Sequence, residues 1–263
     1  MSESLGTVAR VMSVLTFMAE SKDSVGVKDI AAALKLPMST SHRLLDLLLE
    51  GGFVEKDTGR RRYTIGIEFL RLANLVAQRT SYSAALQPIL DRITKETGET
   101  TIYSEYLPSK RAVMHSAKSD SPHSLRLRIN LFQENPVEWG ASGSAILAFL
   151  PSDVQAEIQA SGRASPTTKK RISMTAFFDR INNIRRNGYA VSEGEALADS
   201  VGVAVPVMLG ADQVRASITL AIPKVRFARS QLPGYVSLLK REAELISKGP
   251  LQRRNSQSKG KSA

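Results

Sequence analysis

Cysteine is absent from this 263-residue sequence, tryptophan occurs once, and no apolar run is long enough to span a membrane. The lack of cysteine excludes disulfides, thiolate metal ligands and cysteine nucleophiles. A membrane helix needs about 18 or more consecutive apolar residues. The N-terminus, MSESLGTVARV, also lacks the basic start and apolar centre of a signal peptide. We therefore expect a cytoplasmic protein with no membrane partner.

Acidic residues are also relatively few, with 25 Asp and Glu against 36 Lys and Arg, for a net charge of +11. Part of the excess lies at the C-terminus, where residues 248–263 contain five Lys or Arg and no acidic residue. The last segment, LQRRNSQSKGKSA, contains a single large apolar residue. Such a composition cannot bury a core, so residues 251–263 are predicted to form a disordered basic tail.

The first 65 residues have the periodicities of helices followed by a hairpin. Apolar residues at three- and four-residue steps predict two helices, and a third begins after Pro37 and ends at the pair Gly51–Gly52. Alternating segments around the turn DTGR then predict two strands. This order is the winged helix-turn-helix pattern. The predicted elements are helices over Leu5–Glu20 and Lys28–Lys35 and strands over Phe53–Lys56 and Arg62–Ile65.

The third helix has one polar stripe and leucines around the rest of its circumference, which predicts a recognition helix with buried leucines. A helix fits the major groove of DNA, and its first turns lie nearest the base edges. Arginines beside the groove can neutralise phosphates. Either feature alone is typical of an ordinary protein surface; their order and spacing favour DNA binding. The predicted DNA-binding residues are Ser39, Thr40, His42 and Arg43 in the helix and Arg60, Arg61 and Arg62 in the wing.

Residues 66–83 are predicted to form a connector helix and linker, followed by a larger domain over residues 84–250. The connector helix, Ile67–Arg79, is apolar around most of its circumference, which indicates burial on two sides. Together with Phe17, this surface predicts at least a homodimer. In the larger domain, helices alternate with antiparallel hairpins such as TTIYSEYLPSKRAVMHSAKS and GVAVPVMLGADQVRASITLAI. We therefore predict an α+β fold.

Four segments carry a resemblance to a known family: LPMSTSHRLLDLL, RRYTIGIEFLRLA, GASGSAILAFLP and GYAVSEGEALADSVGVAVPV. They occur in the order found in IclR-type transcriptional regulators, which this chain resembles over nearly its whole length. The resemblance implies a GAF-like effector-binding domain with an antiparallel sheet, a small-molecule effector and homodimers or homotetramers on a DNA operator. Where many members have histidine and lysine, this chain has Glu138 and Ser144.

By the same resemblance, Ala141, Ser142, Ser192 and Thr219 would contact the effector. Backbone N–H groups at a helix start attract a carboxylate, so we expect an organic acid. Trp139, just before this helix start, would add an apolar wall and one N–H donor, although a lone aromatic is as commonly ordinary core. No cofactor is expected.

Two other functional classes remain as alternatives. The segment Gly140–Ser144 resembles a hydrolase nucleophile turn, but all three histidines precede Ser142 and the second glycine is displaced, so we expect no enzyme. His115 and His123 lack the close-spaced partners of a metal site. A nonspecific basic DNA-binding protein would explain the tail, but it would leave the larger, nearly neutral domain without a purpose.

Overall fold

The computed structural model describes residues 6–57, 59–79, 82–208 and 213–248. The chain divides into two compact units, Met1–Thr80 and Ser81–Ala263. Three predicted features fall outside the described residues: Thr58 in the wing turn, the turn at residues 210–212, and the basic tail.

The described residues of the first unit form four helices and a two-stranded antiparallel hairpin. Buried side chains from the first three helices and the hairpin form one core, which includes Val14, Ile30, Leu44, Leu45 and Tyr63. The elements are α1 Thr7–Glu20, α2 Val27–Leu34, α3 Met38–Glu50, β1 Val54–Asp57, β2 Arg62–Ile65 and α4 Ile67–Arg79.

Backbone hydrogen bonds join the hairpin to the helices. The N–H of Val25, between α1 and α2, donates to the carbonyl of Tyr63 at 2.9 Å, and the reverse bond is 2.8 Å long. Of the two glycines after α3, it is Gly52 that takes the left-handed conformation, with φ of +71°, while Gly51 stays helical. The Phe53 N–H donates to the carbonyl of Leu48 at 2.9 Å, so the wing is fixed to the helix-turn-helix core at both its start and its second strand.

Two expectations about apolar exposure in this unit were wrong. Phe17 was expected on the dimer surface, but it is half-buried and packs against the core of its own unit. Leu47 of α3 was expected to be buried, but it is 51% exposed. The helix turns through about 100° per residue, so a side chain three positions after the buried Leu44 can lie at the edge of the core-facing stripe.

The part of the second unit that the structure describes contains a six-stranded antiparallel sheet with the strand order β5-β4-β3-β8-β7-β6. Residues on each strand alternate between its two faces. The elements are α5 Tyr82–Thr97, β3 Thr100–Leu107, β4 Ala112–Ser119, β5 Glu134–Pro136, α6 Gly140–Leu147, α7 Ser152–Ser161, α8 Met174–Asn187, β6 Ala190–Glu193, β7 Ser200–Met208, β8 Val214–Pro223 and α9 Leu232–Lys248.

The two sheet faces differ in what covers them. One face packs against α5 and α9 around Leu90, Ile218, Leu220 and Leu239, in the largest buried cluster of the unit. The side chains that alternate with these, among them Thr219, point toward α6 instead. Because α6 is buried along its whole length, its start lies deep in the unit against this second face.

The sequence analysis missed three elements: β5, α7 and β6. The two strands are only three and four residues long, too short for their alternation to stand out. Helix α7, SDVQAEIQAS, has only Gln155 and Ile158 buried, so its apolar stripe is weak. All three depend on neighbours elsewhere in the chain rather than on a strong local pattern.

Candidate DNA-binding surface and effector cavity

The first turns of α3 expose the residues predicted to contact DNA. Ser39, His42 and Arg43 are exposed and Thr40 is half-buried. Ser41 between them is fully buried and donates its hydroxyl to the carbonyl of Pro37 at 3.2 Å. A buried face and a polar exposed face are what a recognition helix needs, because one side must hold the core while the other meets the base edges.

An acidic side chain restrains His42. Its Nδ1 lies 2.8 Å from Oδ2 of Asp46, one turn later on the same helix. This contact leaves Nε2 as the ring nitrogen available to a partner. His42 can therefore offer Nε2 to DNA. Arg43 can offer its exposed guanidinium.

The three wing arginines have different surroundings. Arg60 and Arg61 are exposed in the turn, which is closed by a 2.9 Å hydrogen bond from the Gly59 N–H to the Asp57 carboxylate. Arg62 instead points back to the helices, where its Nε donates to the carbonyl of Ser24 at 2.9 Å. Its terminal nitrogen also lies 3.3 Å from the Asp29 carboxylate. The prediction grouped Arg62 with the phosphate contacts, but the structure gives its guanidinium partners within the protein.

A cavity of about 80 Å³ lies between the start of α6 and the sheet in the second unit. It is smaller than the ~300–1,000 Å³ typical of pockets for drug-sized ligands, so it suits a compact molecule. The structure brings all five residues of the predicted effector set to its lining; their role in binding stays a prediction. These are Trp139, Ala141, Ser142, Ser192 and Thr219.

The start of α6 supplies polar groups to this cavity. The first N–H groups of a helix have no acceptor within the helix. Ser142 Oγ lies 2.8 Å from Thr219 Oγ1, so two hydroxyls meet beside these N–H groups. The hydroxyl of Ser217, in β8, also binds this turn by donating to the carbonyl of Ser142 at 3.0 Å. The arrangement favours an anion, because donors converge there and the helix dipole adds partial positive charge.

Two ion pairs fix the segment that leads into α6. The carboxylate of Glu138, 2% exposed, accepts hydrogen bonds of 2.9 and 2.7 Å from Arg163. Glu195 pairs with Arg180 at 2.6 Å and lies 3.3 Å from the N–H of Gly140. One of the helix-start donors is thus already satisfied by the protein. An effector carboxylate would therefore use the donors that follow, at Ala141 and Ser142.

Trp139 does not offer the donor that was expected of it. Its indole N–H donates to the backbone carbonyl of Arg163 at 2.9 Å, and its ring lies beneath the guanidinium of Arg180, 5.7 Å from the ring centroid. The expectation of a free N–H was wrong because a buried indole must find a partner. Its ring still contributes an apolar wall to the cavity.

His115 of β4 also lines the cavity, and the sequence analysis gave it no role. Its Nδ1 lies 2.9 Å from Ser104 Oγ on the neighbouring strand. Burial lowers the pKa of His115 to about 4, so the imidazole is neutral at physiological pH. The alternation of β4 could have indicated that His115 faces inward, but not that it faces a cavity.

The loop between β4 and β5 adds two further apolar residues that were not predicted, Leu127 and Ile129. Its backbone is tied to the sheet by a 2.9 Å hydrogen bond from the Phe132 N–H to the carbonyl of His115. The segment SLRLRINLF has an alternating pattern but forms no strand, so only the tertiary structure shows what its apolar residues cover.

Across the part of the chain that the structure describes, no three His, Cys, Asp or Glu side chains are grouped so that they could hold a metal ion. No helix in the described ranges is long and apolar enough to cross a membrane.

A winged helix-turn-helix unit and an α+β unit that contains a small cavity are together typical of a DNA-binding regulator. Comparison with known proteins identifies the family. The family model "IclR helix-turn-helix domain" matches residues 7–58, and "Bacterial transcriptional regulator IclR C-terminal" matches residues 75–248. The chain therefore belongs to the IclR family, as its four sequence segments predicted.

Individual relatives agree with this assignment. HTH-type transcriptional regulator KipR of Bacillus subtilis is 25% identical over 243 residues, covering 92% of this chain and 96% of KipR. An IclR transcriptional regulator from Alicyclobacillus acidocaldarius has a TM-score of 0.81 at 23% identity, covering 93% of this chain and 98% of that one. An IclR homologue from Microbacterium hydrocarbonoxydans, solved with 4-hydroxybenzoate, has a TM-score of 0.74 at 23% identity, covering 95% and 100%.

These comparisons settle the class of protein. The chain is a transcriptional regulator with a helix-turn-helix DNA-binding domain, and its relatives are named as regulators rather than enzymes. The α+β fold, with helices first and an antiparallel sheet domain after them, is confirmed. The serine hydrolase alternative is therefore set aside, as is a protein that only packages DNA.

Proposed function

We propose that this regulator binds a specific operator through α3 and the wing, and that a small organic acid in the cavity changes its operator affinity. In this proposal Ser39, Thr40, His42 and Arg43 meet the base edges, and Arg60 and Arg61 neutralise phosphates. Five of these side chains are exposed and Thr40 is half-buried, which supports the assignment. A regulator of this kind would act in the cytoplasm, where bacterial DNA lies.

The observation that carries the effector half of the proposal is the position of Ser142. It stands in the first turn of a buried helix, its hydroxyl meets that of Thr219, and both residues line the cavity. Converging hydroxyl and N–H donors in an apolar surround are suited to a carboxylate. The bound ligand of the Microbacterium homologue, 4-hydroxybenzoate, is an organic acid of this kind.

The DNA half is tested with an operator selected from random duplexes by the protein itself. Arg43→Ala should weaken operator binding by about 1–3 kcal/mol and reduce discrimination against scrambled DNA, because a guanidinium that reads a base edge carries sequence information. Lys22→Ala, an exposed cation outside α3 and the wing, is the control. Unchanged discrimination in Arg43→Ala would refute the assignment.

The effector half is tested by measuring operator affinity with and without each of a panel of small carboxylic acids, including 4-hydroxybenzoate. An acid that acts through the cavity should change operator affinity in the wild type and should do so less in Ser142→Ala. The Ser247→Ala variant, whose hydroxyl donates to the carbonyl of Ala243 at 2.9 Å outside the cavity, is a matched control. An equal response of wild type and Ser142→Ala would place the effector elsewhere.

A further inference from the structure

The cavity lining contains one histidine, His115, that the predicted effector residues do not include. Cross-strand pairing places Ser104 of β3 opposite His115 of β4 on one side and opposite Ser217 of β8 on the other. Ser217 bonds to α6, so this row of three polar side chains lies on the sheet face beneath that helix. The rest of the lining is largely apolar, with Ile102, Val113, Leu127 and Ile129 among its walls.

The hydrogen bond between Ser104 and His115 determines what the imidazole can offer. Ser104 is fully buried, and within the described residues its hydroxyl has His115 Nδ1 as its one partner, 2.9 Å away. A buried O–H needs an acceptor, which Nδ1 provides when it is unprotonated. A neutral imidazole then carries its proton on Nε2. His115 therefore presents one N–H donor to an occupant of the cavity.

The charge of His115 determines which kind of ligand oxygen can favourably accept its hydrogen bond. Because burial lowers its pKa to about 4, the ring is uncharged near pH 7 and offers no cation to a carboxylate. Burying a second carboxylate beside it would leave that charge unpaired, which is costly. A neutral oxygen, in contrast, can accept the Nε2–H bond without bringing a charge into the apolar lining.

We propose that His115 selects, among acids held at the start of α6, those that carry a neutral oxygen acceptor such as a hydroxyl or ketone distant from the carboxylate. The inference rests on the proposed function, since it assumes that the acid binds in this cavity. It specifies the class of effector as a monocarboxylic acid that also carries an uncharged oxygen outside the carboxylate. Dicarboxylic acids and purely apolar acids of the same length are the disfavoured classes.

The test uses two sets of acids, each of matched size. The first set is 4-hydroxybutyrate, pentanoate and glutarate, and the second is 4-hydroxybenzoate, 4-methylbenzoate and terephthalate. Within each set only the group at the far end changes, from hydroxyl to methyl to carboxylate. Binding to the full-length protein is measured by calorimetry, and separately by emission of Trp139, the chain's single tryptophan, which lines the same cavity.

We expect the wild type to bind the hydroxy acid of at least one set about tenfold or more tightly than its methyl and dicarboxylate counterparts, as loss of one buried hydrogen bond implies. His115→Phe should remove or reverse the preference for hydroxyl over methyl while leaving the methyl acid bound. His115→Gln, which keeps an N–H donor, should retain part of the preference. This second variant keeps the proposal testable if His115→Phe does not fold. His123→Phe, at an exposed histidine outside the cavity lining, should behave as the wild type.

The outcomes separate the two proposals. If acids bind and change operator affinity, but both His115 variants keep the wild-type ratios, the inference about His115 is wrong and the proposed function stands. If the wild type binds the methyl or dicarboxylic acid as tightly as the hydroxy acid, the inference is again overturned. If no acid of either set binds the wild type, the assignment of this cavity to such acids fails, and the inference fails with it.

Discussion

At the scale of single residues, the wing arginines show how a run of identical side chains divides into separate roles. Arg62 is the first residue of β2 and pairs with Asp57 in the hairpin register, so its side chain turns toward the loop between α1 and α2. Arg61, one position earlier, is in the left-handed conformation with φ of +50° and is exposed. The sequence RRR cannot reveal this difference, because it arises from where the strand begins.

The difference gives a prediction. Arg62→Ala should lower the free energy of unfolding of the first unit by about 1 kcal/mol, since it removes partly exposed hydrogen bonds to Ser24 and Asp29. Arg61→Ala should leave stability unchanged and reduce the slope of log affinity against log salt by about one. Thermal unfolding and DNA titrations at several salt concentrations measure both effects. Equal loss of stability in the two variants would contradict the division of roles.

His115 makes a second prediction at this scale, on acid stability. Its pKa is about 4 in the folded chain and about 6.5 when unfolded, so only the unfolded chain gains a proton as pH falls from 6.5 to 4. Its contribution therefore destabilises the second unit over that window, by roughly 2 kcal/mol at pH 5. Between pH 7 and 5, His115→Gln should lose less stability than the wild type by this amount.

Trp139 lies in the second unit, so urea unfolding followed by its emission reports on the unit that contains His115. His123→Gln is the control, because His123 is exposed and should give the wild-type loss. Identical losses in wild type and His115→Gln would show that the imidazole is not held neutral by burial.

At the scale of elements, α6 shows how far small residues can be interpreted from sequence. Within the segment GASGS, Ala141 and Ser142 were expected to contact the effector, and both line the cavity. Gly143 has a different reason to be small: a Cβ there would lie 2.4 Å from the carbonyl oxygen of Val137. The helix start was predictable from the pattern, but which small residue faces ligand and which faces protein depends on the fold.

Helices α1 and α4 carry the proposal of a dimer. Val8 and Met12 of α1 are 73% and 60% exposed, and Ile67 and Leu70 of α4 are 68% and 53% exposed. Such apolar side chains clustered on helices usually mark an interface. We expect Leu70→Glu to lower the mass measured by sedimentation at micromolar concentration and to weaken operator binding, because a buried unpaired carboxylate opposes association.

Lys22→Glu, at an exposed site between α1 and α2, makes a larger change of charge and should leave the sedimentation mass unchanged. A wild-type protein that sediments as a 28.7 kDa monomer while binding its operator tightly would remove the dimer proposal.

At the scale of the whole molecule, the order of elements was largely predictable and the connections between distant strands were not. The helices and hairpins follow local periodicity, and α4 was predicted with the bounds that the structure shows, Ile67–Arg79. The strand order β5-β4-β3-β8-β7-β6 depends on pairing across more than a hundred residues, as between β3 and β8. That pairing sets His115, Ser104 and Ser217 in one row, so no local pattern could reveal it.

The uneven charge of the chain supports a last prediction. Four Lys or Arg follow Lys248 and no acidic residue does: Arg253, Arg254, Lys259 and Lys261. If these cations meet phosphates, a chain ending at Lys248 should bind random duplexes more weakly. The slope of log affinity against log salt should fall in magnitude by up to about 3–4, since each phosphate contact contributes about 0.9.

Discrimination between operator and scrambled DNA should persist in the shortened chain, because base contacts are assigned to α3 and not to the tail. A full-length chain with the four cations replaced by glutamine should match the truncation, which separates charge from length. A slope equal to that of the wild type in both would mean that the tail does not reach DNA, and that the measured salt dependence comes from cations elsewhere in the chain.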